Sequence, residues 1–518
     1  MPDMARTFSI TTAIDYTNGA PHIGHAYEKV LTDAIARHRR LRGQPVFFLT
    51  GVDQHGQKVQ QSAQKLGLEP KAFVDGITAQ FLALWSKLGI SHDAWGATTE
   101  PVHIRCVQGM LQRLWDSGHF YKDKRGGHYS VRQEQFLTEK ERGPDGEFGP
   151  EWGEVVYIEE ENYYFKLAEH RDWLLGLIDS RSKSSHPLVI PEFRAAELRN
   201  AVEKLSGDLC ISRPKSRLTW GIEMPFDPGF VTYVWFDALS NYISFAGYDP
   251  SPRADLSAFH SRWPAVHVIG KDILVPPHGI YWLAMLRALG FEDNDMPTLL
   301  VHGWWNIAGA KMSKSLGNIV DPAALAEKYG SASLRWYLLA DIATGRDADF
   351  SIERLEQRYN AELANNIGNL LNRTLNMARR YRSGTLKKCG SPLAGFVSEK
   401  AKAWDAAMES YQPHAAIEAA MEIAVRCNAH VEETAPWKLA KDESQAAQLD
   451  SVLYTLSESL RILSILLEPF IPEQAAAMRA QLNWTAEPST AATEWGLLPD
   501  GHQLSEPVPL FPRIEPQP

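Results

Sequence analysis

The sequence predicts an α/β protein in which a parallel sheet is interrupted by an inserted domain and followed by an α-helical bundle. Three observations carry this. Strand-like and helix-like apolar patterns alternate up to about residue 118. Periodicity then lapses between about 119 and 215, and strand-like runs return after it. From about Ile352 onward the apolar spacing is helical throughout.

In order, Thr7 to Ile14 reads as a strand, and the turn-rich Asn18, Gly19 and Pro21 lead into a helix carrying Val30, Ala34, Ile35 and Leu41. A second strand-like run, Val46 to Leu49, precedes Gly51 and a helix with Val59, Ala63 and Leu66. Strand, helix, strand, helix at these lengths builds βαβ units and hence parallel pairing. Thr99-Glu100-Pro101 announces a further helix, with Ile104, Val107, Leu111 and Leu114 on one side. Between about His119 and Lys215, frequent glycine and mixed aromatic and charged residues suggest short strands and loops. Strand-like runs resume at Phe230 to Phe236, Val266 to Ile269 and Leu299 to Val301. Asn360 to Arg380, Ala415 to Glu433 and Leu449 to Leu467 have the three-and-four spacing of bundle helices. The tail after Pro472 reads as irregular.

Composition narrows the class. A chain of 518 residues, 44% apolar and 22% charged, fits a globular protein of several domains. No apolar run approaches the roughly 20 residues that span a bilayer, and Met1 to Ile10 does not read as a signal peptide. A cytoplasmic protein without membrane contact is expected. Cys106, Cys210, Cys389 and Cys427 form no CxxC pair, so neither a disulfide framework nor a thiolate zinc site is indicated. The formal charge of −10 argues against a protein that coats nucleic acid indiscriminately, while leaving room for a local basic face.

Two short motifs carry chemistry. Pro21-His22-Ile23-Gly24-His25 lies where a strand passes into a helix. A helix start offers unpaired N–H groups and a partial positive charge, so it suits phosphate. His22 and His25 can each donate to a phosphoryl oxygen, and Gly24 leaves room for a flat base to approach the backbone. Alone, the pair could equally be surface histidines around a turn. The second motif, Lys311-Met312-Ser313-Lys314-Ser315, follows a predicted strand and is bracketed by glycines. Lys311 and Lys314 on a mobile loop could close on a triphosphate and neutralise charge on departing pyrophosphate; a solvated basic turn is the alternative. Neither a Walker loop nor GxGxxG is present, so the commoner nucleotide-binding devices do not compete.

Together, the early HIGH and the late KMSKS resemble the class I aminoacyl-tRNA synthetases, whose catalytic domain is Rossmann-like. Further blocks are similar to the methionine branch of that family: Thr12-Ala13-Ile14-Asp15-Tyr16, Gly51-Val52-Asp53-Gln54-His55-Gly56-Gln57-Lys58, Tyr233-Val234-Trp235-Phe236-Asp237-Ala238, and Ile269-Gly270-Lys271-Asp272-Ile273. The resemblance implies activation of L-methionine by ATP with Mg2+ and transfer of the methionyl group to the 3′-terminal ribose of methionine tRNA. The ATP site would include His22, Gly24, His25, Asp272, Lys311 and Lys314, with Asp272 a ribose or ammonium contact. The methionine site would include Asp53 for the ammonium group. Ala13, Ile14, Trp235, Ala238 and Ile273 would form a soft slot for the thioether, with Tyr16, Tyr242 and His278 adding further contacts.

The implied organisation has two catalytic half-domains, 1–118 and 216–305, around a connective insertion, 119–215. A loop and stem-contact region, 306–355, leads to an anticodon-binding bundle with its tail, 356–518. Trp437, in Ala435-Pro436-Trp437-Lys438, would stack on the first anticodon base, a cytosine, and Asn360 would meet a base edge. Arg373, Arg379, Arg380 and Arg382, with Lys387 and Lys388, form a basic stretch that is either a solvated helix face or a tRNA-backbone contact.

Two departures from the family stand out. His278 lies six residues after Asp272, where the family has its pocket histidine five residues on, so either a local bulge absorbs the extra residue or His278 does other work. No cysteine lies between 107 and 209, which resembles the zinc-free subtype, so no structural zinc is expected. Without the dimerising extension of longer relatives, a monomer is expected. The rival readings are a synthetase for another amino acid, an inactive tRNA-binding paralogue, and a small nucleotidyltransferase.

Overall fold

The computed structural model describes residues 7–132, 135–137, 139–143, 145–307, 309–311 and 320–514. Its centre is a seven-stranded sheet of β1 (Phe8–Thr12), β2 (Asp15–Tyr16), β3 (Val46–Asp53), β4 (Ala94–Ala97), β5 (Val189–Ile190), β6 (Val266–Gly270) and β7 (Thr298–His302). Every pairing in it is parallel, as crossover connections require. Across the sheet the order is β4, β3, β1, β6, β7, β5, with β2 continuing the line of β1 along β3.

The strands are buried on both faces, which explains their near-continuous apolar runs. Ile10, Phe48, Val52, Val268 and Leu300 face one way and join the helix α1 (Ile23–Leu41) and the C-terminal bundle in one core. Their neighbours Phe47, Leu49, Ile269, Leu299 and Val301 face the other way and pack with Leu111 and Trp282. The period-two split is the pleat of each strand expressed as two cores. Arg335 locks the bundle to the sheet domain: it pairs with Asp33 at 2.7 Å and donates to the carbonyls of Leu88, Pro469 and Phe470. No helix among the described residues is long and apolar enough to cross a membrane.

Three elements differ from the sequence reading. Val189–Ile190 lies within the expected insertion yet pairs with Leu299 and Leu300 in the main sheet. The run Phe230 to Phe236 is no core strand. Asp227–Thr232 belongs to a small antiparallel sheet, and Val234–Ser244 is helical. The tail also begins with a helix, Pro472–Gln481, which buries Ala475 and Met478. The rest of the insertion is built on a long hairpin in which Phe120–Ser130 pairs with Val155–Phe165.

Candidate active site

In an open parallel sheet, ligands sit beyond the carboxyl ends of the strands where connections diverge to opposite sides. Here that point lies between β1 and β6. β1 runs on through α1 to β3 on one side, while β6 and β7 extend the other.

The end of β1 is locally irregular. Thr11 pairs with Leu49 and Asp15 with Val52, so four residues on one strand span three on its partner. The extra residue is a bulge, a device that re-aims side chains, and it turns Ala13 and Ile14 into two adjoining cavities.

The first cavity, about 440 Å3, gathers all nine residues expected to hold the amino acid. Ala13, Ile14 and Tyr16 come from the bulge, and Asp53 from the end of β3. Trp235, Ala238 and Tyr242 come from the helix Val234–Ser244, and Ile273 and His278 from the segment after β6. Asp53 is buried, and its Oδ1 accepts from the His55 amide at 3.3 Å and from the Thr98 hydroxyl at 3.4 Å. The cavity therefore offers a buried carboxylate, Asp53, at the edge of an aromatic and aliphatic slot that Asp272 also lines.

Polar groups behind this slot have set proton positions. Nδ1 of His278 donates to the Ile273 carbonyl at 2.8 Å, so Nε2 accepts the Tyr242 hydroxyl at 2.7 Å. Burial lowers His278 to about 4 and raises Tyr242 well above its ordinary range, so both are neutral. Tyr242 also stacks on His267, whose Nε2 accepts from Trp282 at 3.2 Å and whose Nδ1 meets the Thr11 hydroxyl at 2.8 Å. Between Asp272 and His278 the chain kinks at Val275 (φ −121°, ψ 127°), within a stretch of π-type winding, Leu274–Trp282.

The second cavity, about 270 Å3, shares Ala13, Ile14, Tyr16, His25, Asp272 and Ile273 with the first. His22, Gly24 and His25 line it from the start of α1. His22 occupies the N-cap position, where a side-chain acceptor usually relieves the unpaired amides. Its Nδ1 accepts the Gly24 amide at 3.1 Å, and the His22 amide donates to Nδ1 of His25 at 3.1 Å. With both Nδ1 atoms used as acceptors, each neutral ring carries its hydrogen on Nε2. The rings stack 3.8 Å apart. A Cβ on Gly24 would sit 2.9 Å from the His22 ring, so the space that glycine leaves is filled by its own cap. Asp272 accepts from the Trp304 indole at 3.2 Å.

The late lysine motif falls mostly outside the described residues, Lys314 included. The backbone of Lys311 pairs with Asn306 in the strand Trp305–Ile307, directly after Trp304 and Trp305, which line the second cavity.

Several residues here escaped sequence reading. Lys29 is fully buried and donates to the Ala13 carbonyl, to Asp15 and to Glu28, while the other oxygen of Glu28 meets His302 at 3.0 Å. Burial pushes the Asp15 carboxyl up to about 7 against the pull of Lys29. Burial also acts to raise Glu28, but Lys29 and His302 prevail and hold it below its ordinary value. Behind Asp53, Asp237 is gripped by His55 at 2.7 Å and His103 at 2.8 Å. Spacings this long leave no local pattern. Charged residues inside the apolar stripe of α1 were the one available signal.

In the bundle, Trp437 is 38% exposed on the short helix Pro436–Leu439, after the left-handed Ala435 (φ 43°). Among the described residues, Asn360 exchanges two hydrogen bonds with the Ile514 backbone, at 2.8 and 2.9 Å, which leaves one amide N–H. Within the basic stretch, Arg373, Arg379 and Arg382 pair with Glu432, Glu506 and Asp450. Among the described residues no cluster of three His, Cys, Asp or Glu side chains could hold a metal ion.

A capped helix start at the switch point, beside an aromatic slot with the buried Asp53 carboxylate, is a ligand-binding arrangement of an open α/β sheet. The family model described as "tRNA synthetases class I (M)" matches residues 8–145 and 153–375, and the "Anticodon binding domain of methionyl tRNA ligase" matches 382–517. The methionine–tRNA ligase of Caldanaerobacter subterraneus is 40% identical over 99% of this chain and 80% of its own length. That of Bacillus subtilis is 39% identical over 99% and 79%. A solved Mycobacterium tuberculosis methionyl-tRNA synthetase in complex with methionyl-adenylate superposes with a TM-score of 0.91 at 36% identity, covering 98% of this chain and all of the other. The chain belongs to the methionine–tRNA ligases of class I.

Proposed function

We propose that the two joined cavities bind L-methionine and ATP, and that the chain makes methionyl-adenylate and passes the methionyl group to the terminal ribose of methionine tRNA. One observation supports this reading: a slot holding the buried Asp53 carboxylate shares a wall with a second cavity at a helix start, which is lined by the stacked imidazoles of His22 and His25. Asp53 pairs with the ammonium group, and the thioether lies among Ile14, Trp235, Ala238 and Ile273 with Ala13, Tyr16, Tyr242 and His278 around it. Sulfur against aromatic edges supports that orientation.

ATP arrives as its magnesium complex, with the ion carried on the phosphates. His22 and His25 donate to phosphoryl oxygens, Gly24 leaves the room in which the His22 ring seats as the cap, and Asp272 holds the ribose. Lys311 and Lys314 stabilise the departing pyrophosphate. The methionine carboxylate, already ionised, attacks the α-phosphorus in line, so positioning and charge stabilisation suffice without a general base. Trp437 takes an unpaired anticodon base, with Asn360 offering its remaining N–H. We read the protein as a cytoplasmic monomer that needs no structural zinc.

The deciding experiment is pyrophosphate exchange run separately with each of the twenty amino acids. Exchange dependent on methionine supports the reading; exchange with isoleucine or valine in its place overturns the substrate.

A further inference from the structure

Behind the nucleotide-facing wall lies a cluster of charge that the reaction just described does not use. Lys29 is 0% exposed, and its ammonium group lies 2.9 Å from the Ala13 carbonyl, 2.9 Å from Asp15 Oδ1 and 3.1 Å from Glu28 Oε1. Its three donors are thereby saturated, and the Trp85 ring stands 5.5 Å away. Lys29 therefore acts through its partners. Both carboxylates line the second cavity, as does His302, which caps the far side of Glu28. Asp15 Oδ2 has no hydrogen-bond partner among the described residues, and Oδ1 stands 4.0 Å from His25 Nε2.

A wall holding Asp15, Glu28 and, across the cavity, Asp272 is poorly suited to a triphosphate unless the buried negative charge is balanced. Charges a few ångströms apart with little water between them interact far more strongly than in bulk solvent. Removing one member of such a buried group exposes the remainder at full strength. Lys29 lies on α1 and reaches the bulge through the Ala13 carbonyl and Asp15, and the first cavity includes neither Asp15 nor Glu28.

We propose that Lys29 is a positioning residue for the nucleotide half of the site: through Asp15 and Glu28 it balances charge behind the cavity wall, so that the wall accepts a polyphosphate. This rests on the reading of the second cavity as the ATP site.

The test is methionine-dependent ATP–pyrophosphate exchange at pH 8 with full-length protein, with KM for ATP and for methionine determined separately. In Lys29→Met, KM for ATP rises about tenfold or more while KM for methionine stays within about twofold. Asp15→Asn is isosteric, keeps an acceptor for Lys29 and removes one negative charge. It moves the other way, lowering KM for ATP about threefold with methionine again unchanged. A purely structural role for Lys29 gives no such opposed shifts. If Lys29→Met does not fold, Asp15→Asn alone decides. A raised or unchanged KM for ATP in Asp15→Asn, or equal changes for both substrates, overturns the inference. Absence of methionine-dependent exchange in the unmodified protein would instead overturn the underlying reading.

Discussion

The Tyr242 hydroxyl donates to His278 Nε2 at 2.7 Å, across the back of the amino-acid slot. Because Nδ1 of the same ring is committed to the Ile273 carbonyl, His278 has one orientation and one tautomer. Tyr242→Phe leaves a buried acceptor unpartnered, which costs about 1–3 kcal/mol. We expect KM for methionine in pyrophosphate exchange to rise about tenfold, with KM for ATP little changed.

The same ring sets a pH dependence of stability. Burial holds His278 neutral down to about pH 4, whereas an unperturbed imidazole titrates near 6.5. Between those values the unfolded chain binds more protons, so stability rises with pH and is lost on acidification. His267, pushed well below its usual value by burial, acts in the same direction. From pH 7 to 5, His278→Gln should therefore lose about 2 kcal/mol less than the unmodified protein in urea unfolding. Equal losses would show that His278 takes up its proton as readily in the fold as in the unfolded chain.

The difference between what was legible in the sequence and what was not is physical. The motif His22 to His25 is readable because a helix start imposes local demands: an acceptor at the cap, no Cβ at Gly24, and apolar spacing after it. The slot residues are readable because a family resemblance fixes them block by block, although they come from four separate elements. The roles of Lys29 and Glu28 are not legible in the sequence, since only the fold shows Asp15 and His302 converging on them. Val189–Ile190 is two residues long, too short for any period to register. Val234 to Tyr242 is apolar enough to satisfy either a buried strand or a helix, and in the structure it is the helix that brings Trp235, Ala238 and Tyr242 to one cavity.

Asp53 is the buried carboxylate of the first cavity, and its Oδ1 is already oriented by Thr98 and the His55 amide. Asp53→Asn keeps the shape and removes the charge. Loss of a charge-assisted bond of about 2–3 kcal/mol should raise KM for methionine roughly 30- to 100-fold. Affinity for tRNA measured by filter binding should not change, and a parallel fall in tRNA binding would point to a folding defect instead.

Gly24→Ala places a methyl carbon 2.9 Å from the His22 ring. The ring must swing away, its bond to the Gly24 amide is lost, and the stack with His25 opens. Loss of the cap costs the helix about 1 kcal/mol, which a protein of this size tolerates. Displacing a phosphate donor by about an ångström costs on the order of a hundredfold in rate. We expect adenylate formation to fall by that order while the melting temperature drops only a few degrees, and a variant retaining full exchange would separate His22 from the chemistry.

Trp437 offers the cleanest separation of the two ends of the molecule. It stands 38% exposed on a helix of four residues, a poor place for a large apolar ring unless something covers it. Stacking of one unpaired base on an aromatic side chain contributes about 1–3 kcal/mol. Trp437→Ala should therefore raise KM for tRNA in aminoacylation about 10- to 100-fold, while methionine-dependent pyrophosphate exchange, which needs no tRNA, proceeds at the unmodified rate. Replacing the first anticodon base in the tRNA should impose a similar penalty on the unmodified protein and little further penalty on Trp437→Ala, because both changes remove the same contact. Additive penalties would place the ring elsewhere in the complex.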